Sequence, residues 1–177
     1  MRCLLAVLAM FIAASHAALA AAGHSPAHFP TVMALGQEEA HGLESLLDSF
    51  GEMHPAFVHF PIALTLAAAL AEALALTTRR PMFAHAARYT VVIAALGAIA
   101  AVPTGLIEGA GKLTGLITTH RWFGIAAGVV IIGTAVLSEV AHRRERGRLL
   151  LCYRIALFAS ALVVVLTAYF GGKLVYG

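Results

Sequence analysis

The sequence predicts an all-α integral membrane protein: a four-helix bundle of two repeated helical hairpins, preceded by a cleaved signal peptide and a short amphipathic periplasmic segment. Three observations predict it. Sixty per cent of the 177 residues are hydrophobic and 12% are charged, a balance foreign to water-soluble domains. The apolar residues fall into four blocks, about 57–76, 89–107, 122–140 and 151–170. At about 1.5 Å rise per residue, each is long enough to cross roughly 30 Å of hydrocarbon. A spacing also recurs: His59 and His120 lie 61 residues apart, as do Gly111-Lys112-Leu113 and Gly172-Lys173-Leu174. Two-helix repeats related by an axis along the membrane normal set their equivalent histidines facing each other.

Residues 1–20 read as a secretory signal peptide. Arg2 gives the positive start, Leu4–Ala14 the apolar centre and Ala18-Leu19-Ala20 the small-x-small cleavage site. Residues 21–53 lack Lys and Arg and carry Glu38, Glu39, Glu44, Asp48 and Glu52. Within them Leu43, Leu46, Leu47 and Phe50 follow amphipathic helical spacing. This segment is expected to lie on the membrane surface or to cap the bundle. The flexible stretch 23–30 precedes it, and His24, His28, His41 and Met33 are expected to be solvated. The four-helix domain then occupies 54–177.

Charge sets the topology. The first and third turns, with their flanks, carry Arg79, Arg80, Arg88, Arg143, Arg144, Arg146, Arg148 and Arg154. The opposite side holds only Lys112, Arg121 and Lys173. With the signal peptide exporting the N-terminus, the positive-inside rule places both termini in the periplasm of a bacterial inner membrane. The basic balance therefore reflects orientation, and no basic patch with interleaved aromatics marks nucleic-acid binding. Two cysteines, Cys3 and Cys152, are too few for a disulfide framework or a c-type haem attachment. No Ser-His-Asp, P-loop or dinucleotide signature appears, which argues against hydrolase and nucleotide chemistry.

The chemistry-bearing residues cluster at the outer ends of the helices. Pro61 suggests a first helical turn near His59. His54 then lies outside the helix and, five residues away, on a different face. His59 and His120 are expected to face the interior as ligands of a b-type haem, with His54 behind them. Ala63 and Ala67 below His59, and Gly124 and Gly128 below His120, share the histidine faces. They leave room for a macrocycle or simply let helices approach closely. Lys112, Lys173 and Arg121 lie at the level of the propionates. Copper or zinc held by His54, His59 and His120 is the alternative occupant; a non-enzymatic scaffold or assembly subunit is the alternative class. Glu72, within the first span, is either a functional intramembrane acid or a residue reaching the inner interface. Glu139 neighbours His142 and Arg143, and His85 and His142 are interfacial. Pro103-Thr104-Gly105 is expected to bend the second helix.

The string from His54 to Leu64 resembles the HPxxVHFPIAL signature of a bacterial family of small four-helix integral membrane proteins of unknown function. Thr104-Gly105, His120 and the run Gly171-Gly172-Lys173-Leu174-Val175-Tyr176, a GGxLVY signature, are similar to its later motifs. The resemblance covers about His54 to Gly177. It implies the four-helix membrane architecture and partnership with cytochrome or respiratory-chain modules; the haem reading adds electron passage between quinol and a periplasmic acceptor.

Overall fold

The computed structural model describes residues 37–110, 115–144 and 147–177, with side chains from Gly42 onward except Leu43. The proposed signal peptide, His24, His28 and Lys112 lie outside the described residues, as does the side chain of His41. Five helices and no strand occur among the described residues: α1 Gln37–Glu52, α2 His54–Thr78, α3 Pro81–Glu108, α4 Gly115–Arg144 and α5 Gly147–Tyr176. The last four are each long and apolar enough to cross a membrane. Each contains one of the four apolar blocks.

The α2–α3 turn shows how the sequence makes a hairpin. Arg79 closes α2 in the left-handed region, at φ 57°, and its N–H returns to the carbonyl of Ala75. Arg80 is extended, as a residue before proline prefers, and Pro81 opens α3 where its missing N–H costs nothing. The helices then pack in a ring: α2 on α3, α3 on α4, α4 on α5 and α5 on α2. α2 and α4 face each other across the diagonal, as do α3 and α5.

The bundle is lined by small side chains and coated with large ones. Ala68, Ala87, Ala94 and Ala156 are completely buried, whereas Leu70, Leu96 and Leu162 are about 60% exposed. Such a pattern would be perverse in water; between lipid tails it lets backbones approach while leucines face hydrocarbon. Gly97 has Phe60 and Pro61 against it, and a Cβ on Gly128 would meet Val102 at 2.6 Å. Gly128 thus serves helix packing. Ala63 and Ala67 are exposed, so neither they nor Gly128 leave interior space below a histidine.

α2 begins at His54, with Pro55 in its first turn and Pro61 inside it. Starting the helix five residues early reverses the facing of the two histidines. The repeat is also re-registered. His54 and His120 are 66 residues apart, and so are Arg88 and Arg154, Leu96 and Leu162, and Gly105 and Gly171. The helix starts Pro81 and Gly147 share that offset. Gly-Lys-Leu at 61 residues is therefore a coincidence of composition. α1 packs mainly against α3, with Gly51 close to Ile107 and Glu108. Its Leu46, Leu47 and Phe50 remain exposed. α1 thus abuts the bundle end while turning its apolar stripe outward.

Candidate functional site

The starts of α2 and α4 and the ends of α3 and α5 meet at one end of the bundle, where His54 and His120 face each other across the diagonal. Their ring centroids are 6.4 Å apart, with the planes 71° from parallel. His54 donates from Nδ1 to the carbonyl of Ala101 at 3.1 Å, with the Thr104 hydroxyl also at 3.1 Å. His120 donates from Nδ1 to the carbonyl of Thr167 at 3.2 Å. Ala101 and Thr167 are 66 residues apart, so the two rings are held by equivalent carbonyls of equivalent helices.

A carbonyl can only accept, so both anchoring nitrogens carry their protons. When neutral, each ring therefore keeps the lone pair of Nε2 for another partner. This is how metal-binding histidines are oriented by their surroundings. Each ring also rests against a glycine. A Cβ on Gly105 would stand 2.6 Å from Cε1 of His54, and one on Gly171 would stand 3.0 Å from Cε1 of His120. Thr104 keeps its own geometry by donating to the Ala101 carbonyl at 2.9 Å. Thr167 donates to Val163 at 2.8 Å and to Phe123 at 3.2 Å, tying α5 to α4 beside His120.

The 6.4 Å spacing has chemical content. At that distance the rings meet edge to face, close enough that two imidazoles oriented by their surroundings could serve one shared group. Among the described residues no group of three or more His, Cys, Asp or Glu side chains gathers for a metal.

The remaining residues singled out from sequence lie apart from this pair. His59 is exposed and donates to the carbonyl of Pro55 in its own helix. The structure does not bring it to His120. Arg121 donates to the carbonyl of Gly109, joining the end of α3 to α4. Lys173 is exposed, its Nζ 5.0 Å from the ring centre of Tyr169. His85 is exposed, while His142 donates to Ser138 of its own helix at 2.7 Å and stands edge-on to Tyr153.

The opposite end is built from arginine. Arg154 of α5 donates to the buried carboxylate of Glu72 in α2 at 2.7 Å. Arg88 of α3 meets Glu139 of α4 at 2.6 Å, and Arg143 meets the same carboxylate at 2.8 Å. Each hairpin's second helix thus supplies the arginine for an acid in the other hairpin's first helix. Tyr153 and Ser138 are completely buried beside this lattice.

Sequence reasoning missed the seats of the rings. Ala101 and Thr167 act through main-chain oxygens, which leave no side-chain signature. The glycines were legible: His54 to Gly105 and His120 to Gly171 are each 51 residues.

The fold and the paired site define a multi-pass membrane protein with internal two-fold pseudosymmetry and two oriented imidazoles at one end. The family described as "Predicted membrane protein (DUF2231)" matches residues 52–177, and the chain belongs to it. The match covers the whole four-helix domain and leaves out most of α1. None of the curated proteins and none of the solved structures matches the chain.

Proposed function

We propose that this chain is a b-type haem-binding membrane subunit for electron transfer, in which His54 and His120 would hold the haem. The observation that carries the reading is the imidazole pair itself: both Nδ1 atoms engaged by main-chain carbonyls, and centroids 6.4 Å apart. Haem would ask only two side chains of the protein, and His54 and His120 would supply them. Bare zinc takes three or four protein ligands, so the pair favours haem over that ion. When bound, haem supplies one-electron chemistry whose potential depends on ligand identity, hydrogen bonding and burial.

The residues of the chain orient the two rings. The carbonyls of Ala101 and Thr167 fix both rings and raise their basicity, and Thr104 steadies the first of these carbonyls. Arg121 and Lys173 bring positive charge to the same end. The arginine-rich opposite end belongs on the cytoplasmic side by the positive-inside rule. That puts the histidines toward the periplasm, in reach of a quinol and a periplasmic acceptor. His59 takes no part.

The test is a dithionite-reduced minus oxidised spectrum of protein purified from cells supplied with haem, quantified as the pyridine haemochrome. Expected are sharp α and Soret bands, about one haem b per chain, lost in His54→Ala and in His120→Ala and kept in His59→Ala. A folded, colourless protein overturns the proposal. So does a chromophore that survives the removal of either member of the pair.

A further inference from the structure

At the arginine end a groove of about 330 Å³ opens between the last turn of α2, the first turn of α3 and α5. That volume is in the range of small-ligand sites, roughly 300–1,000 Å³. It is lined by Arg79, Arg80 and Arg154 together with apolar Ala75, Leu76, Pro81 and Ala84. Arg79 and Arg80 are exposed and make no ion pair with another described residue. Arg154 spends its Nε–H on Glu72, which leaves the two terminal NH₂ groups of its five-donor fork. With Glu72 counted, the groove holds an excess of about two positive charges, each guanidinium being ionised at any working pH.

Where these arginines stand decides what they can meet. Arg79 and Arg80 form the two-residue turn between two helices each long and apolar enough to cross a membrane, and the end of such a span is the level of the headgroups. The left-handed backbone at Arg79 is one that glycine adopts freely and arginine does not. Leu76, 45% exposed, continues the apolar lining of the groove along α2 toward the lipid. Cationic lining, apolar lining and interfacial depth together match one chemistry, a phosphodiester carrying acyl chains.

We infer that the Arg79–Arg80–Arg154 groove is a binding site for the headgroup phosphate of an anionic phospholipid, with the acyl chain laid along Leu76 and Ala75. The site is independent of any haem at the other end. It makes the bound lipid a wedge between the two hairpins, because Arg154 belongs to one and Arg79 and Arg80 to the other.

Native mass spectrometry of delipidated full-length protein in neutral detergent tests it, with phosphatidylglycerol, phosphatidylcholine or inorganic phosphate added. Phosphatidylglycerol is expected to bind at least tenfold tighter than phosphatidylcholine, with inorganic phosphate at millimolar concentration failing to displace it. Arg79→Gln with Arg80→Gln is expected to weaken phosphatidylglycerol tenfold or more. Arg143→Gln with Arg144→Gln removes equal charge at the same end but outside the groove, and is expected to change binding less than twofold. Ala84→Phe fills the groove with no change of charge and is expected to reproduce the loss, so the test does not hang on one variant folding. Equal losses in the two arginine pairs mean diffuse attraction and overturn the site. Displacement by inorganic phosphate overturns the lipid as its occupant, and undiminished binding in folded Ala84→Phe overturns the groove.

Discussion

Removing Arg154 asks what the crossed ion pairs contribute. Glu72 is 1% exposed, and Arg154 holds it at 2.7 Å. In Arg154→Met the carboxylate stays in the bundle without its cation, a loss worth about 3–5 kcal/mol where buried pairs have been broken on one side. At about 1.4 kcal/mol per factor of ten, the folded-to-unfolded ratio falls by roughly two to three and a half orders of magnitude. Replacing both members, Glu72→Leu with Arg154→Met, removes the orphan charge as well as the bond and is expected to recover most of the loss, since well-packed apolar residues often match a buried pair. The assay is unfolding of the purified protein in mild detergent by added dodecyl sulfate, followed by helical circular dichroism. A cost below about 1 kcal/mol for Arg154→Met would refute the reasoning. A double variant no better than the single would do the same.

Other expectations follow from the same geometry. Gly105→Ala drives a Cβ to 2.6 Å from the ring of His54, whereas Gly171→Ala reaches only 3.0 Å from that of His120. The first should therefore lower cofactor content measured by haemochrome assay well below the second. Gly128→Ala meets a branched side chain, Val102, at 2.6 Å and should cost about 1–3 kcal/mol of stability in the dodecyl sulfate titration, recovered by adding Val102→Ala. Chains 1–112 and 113–177, expressed together, should co-purify, because each hairpin holds the arginine for the other's acid. Glu72→Gln combined with Glu139→Gln should weaken that recovery.

The four helices were legible because membrane thickness forces uninterrupted apolar runs, and the charge at their ends was legible because arginines avoid hydrocarbon. The repeat was legible as a fact and misread in register. Gly-Lys-Leu supplied a conspicuous pair of strings at 61 residues and drew His59 into the match. Arg88 with Arg154 and Gly105 with Gly171 carried the true offset of 66 in single letters. Pro61 reinforced the error, since a proline is more at home in a first turn than in the middle of a helix. In α2 it is buried, its ring against Gly97 of α3, and a glycine partner 36 residues away is not a local signal. The rule that positions five apart face different ways was sound. Only the starting residue was wrong, and that reversed which histidine faces in.

The two polar ends are insulated from each other by the middle of the bundle. Between them lie Ala94, Ala98, Ala127, Ile131, Val163 and Val164, packed with little for a charge to address. The hydroxyls of Thr134 and Ser160 bond to each other there at 2.9 Å, and the hydroxyl of Thr65 is buried midway along α2. α2 alone, with 25 residues, places about 37 Å between the histidine end and the turn at Arg79. Sites so far apart with no shared partner act additively, to within about 0.3–0.5 kcal/mol. The pseudo-two-fold design therefore separates two duties. Backbone carbonyls hold two imidazoles at one end, and ion pairs crossing between hairpins tie the other. Loss of lipid or of an arginine should accordingly loosen the assembly while leaving the imidazole pair's ligand preference intact. A spectrum of bound haem that shifts on removal of Arg79 and Arg80 would mean that the apolar core couples the two ends and would refute their independence.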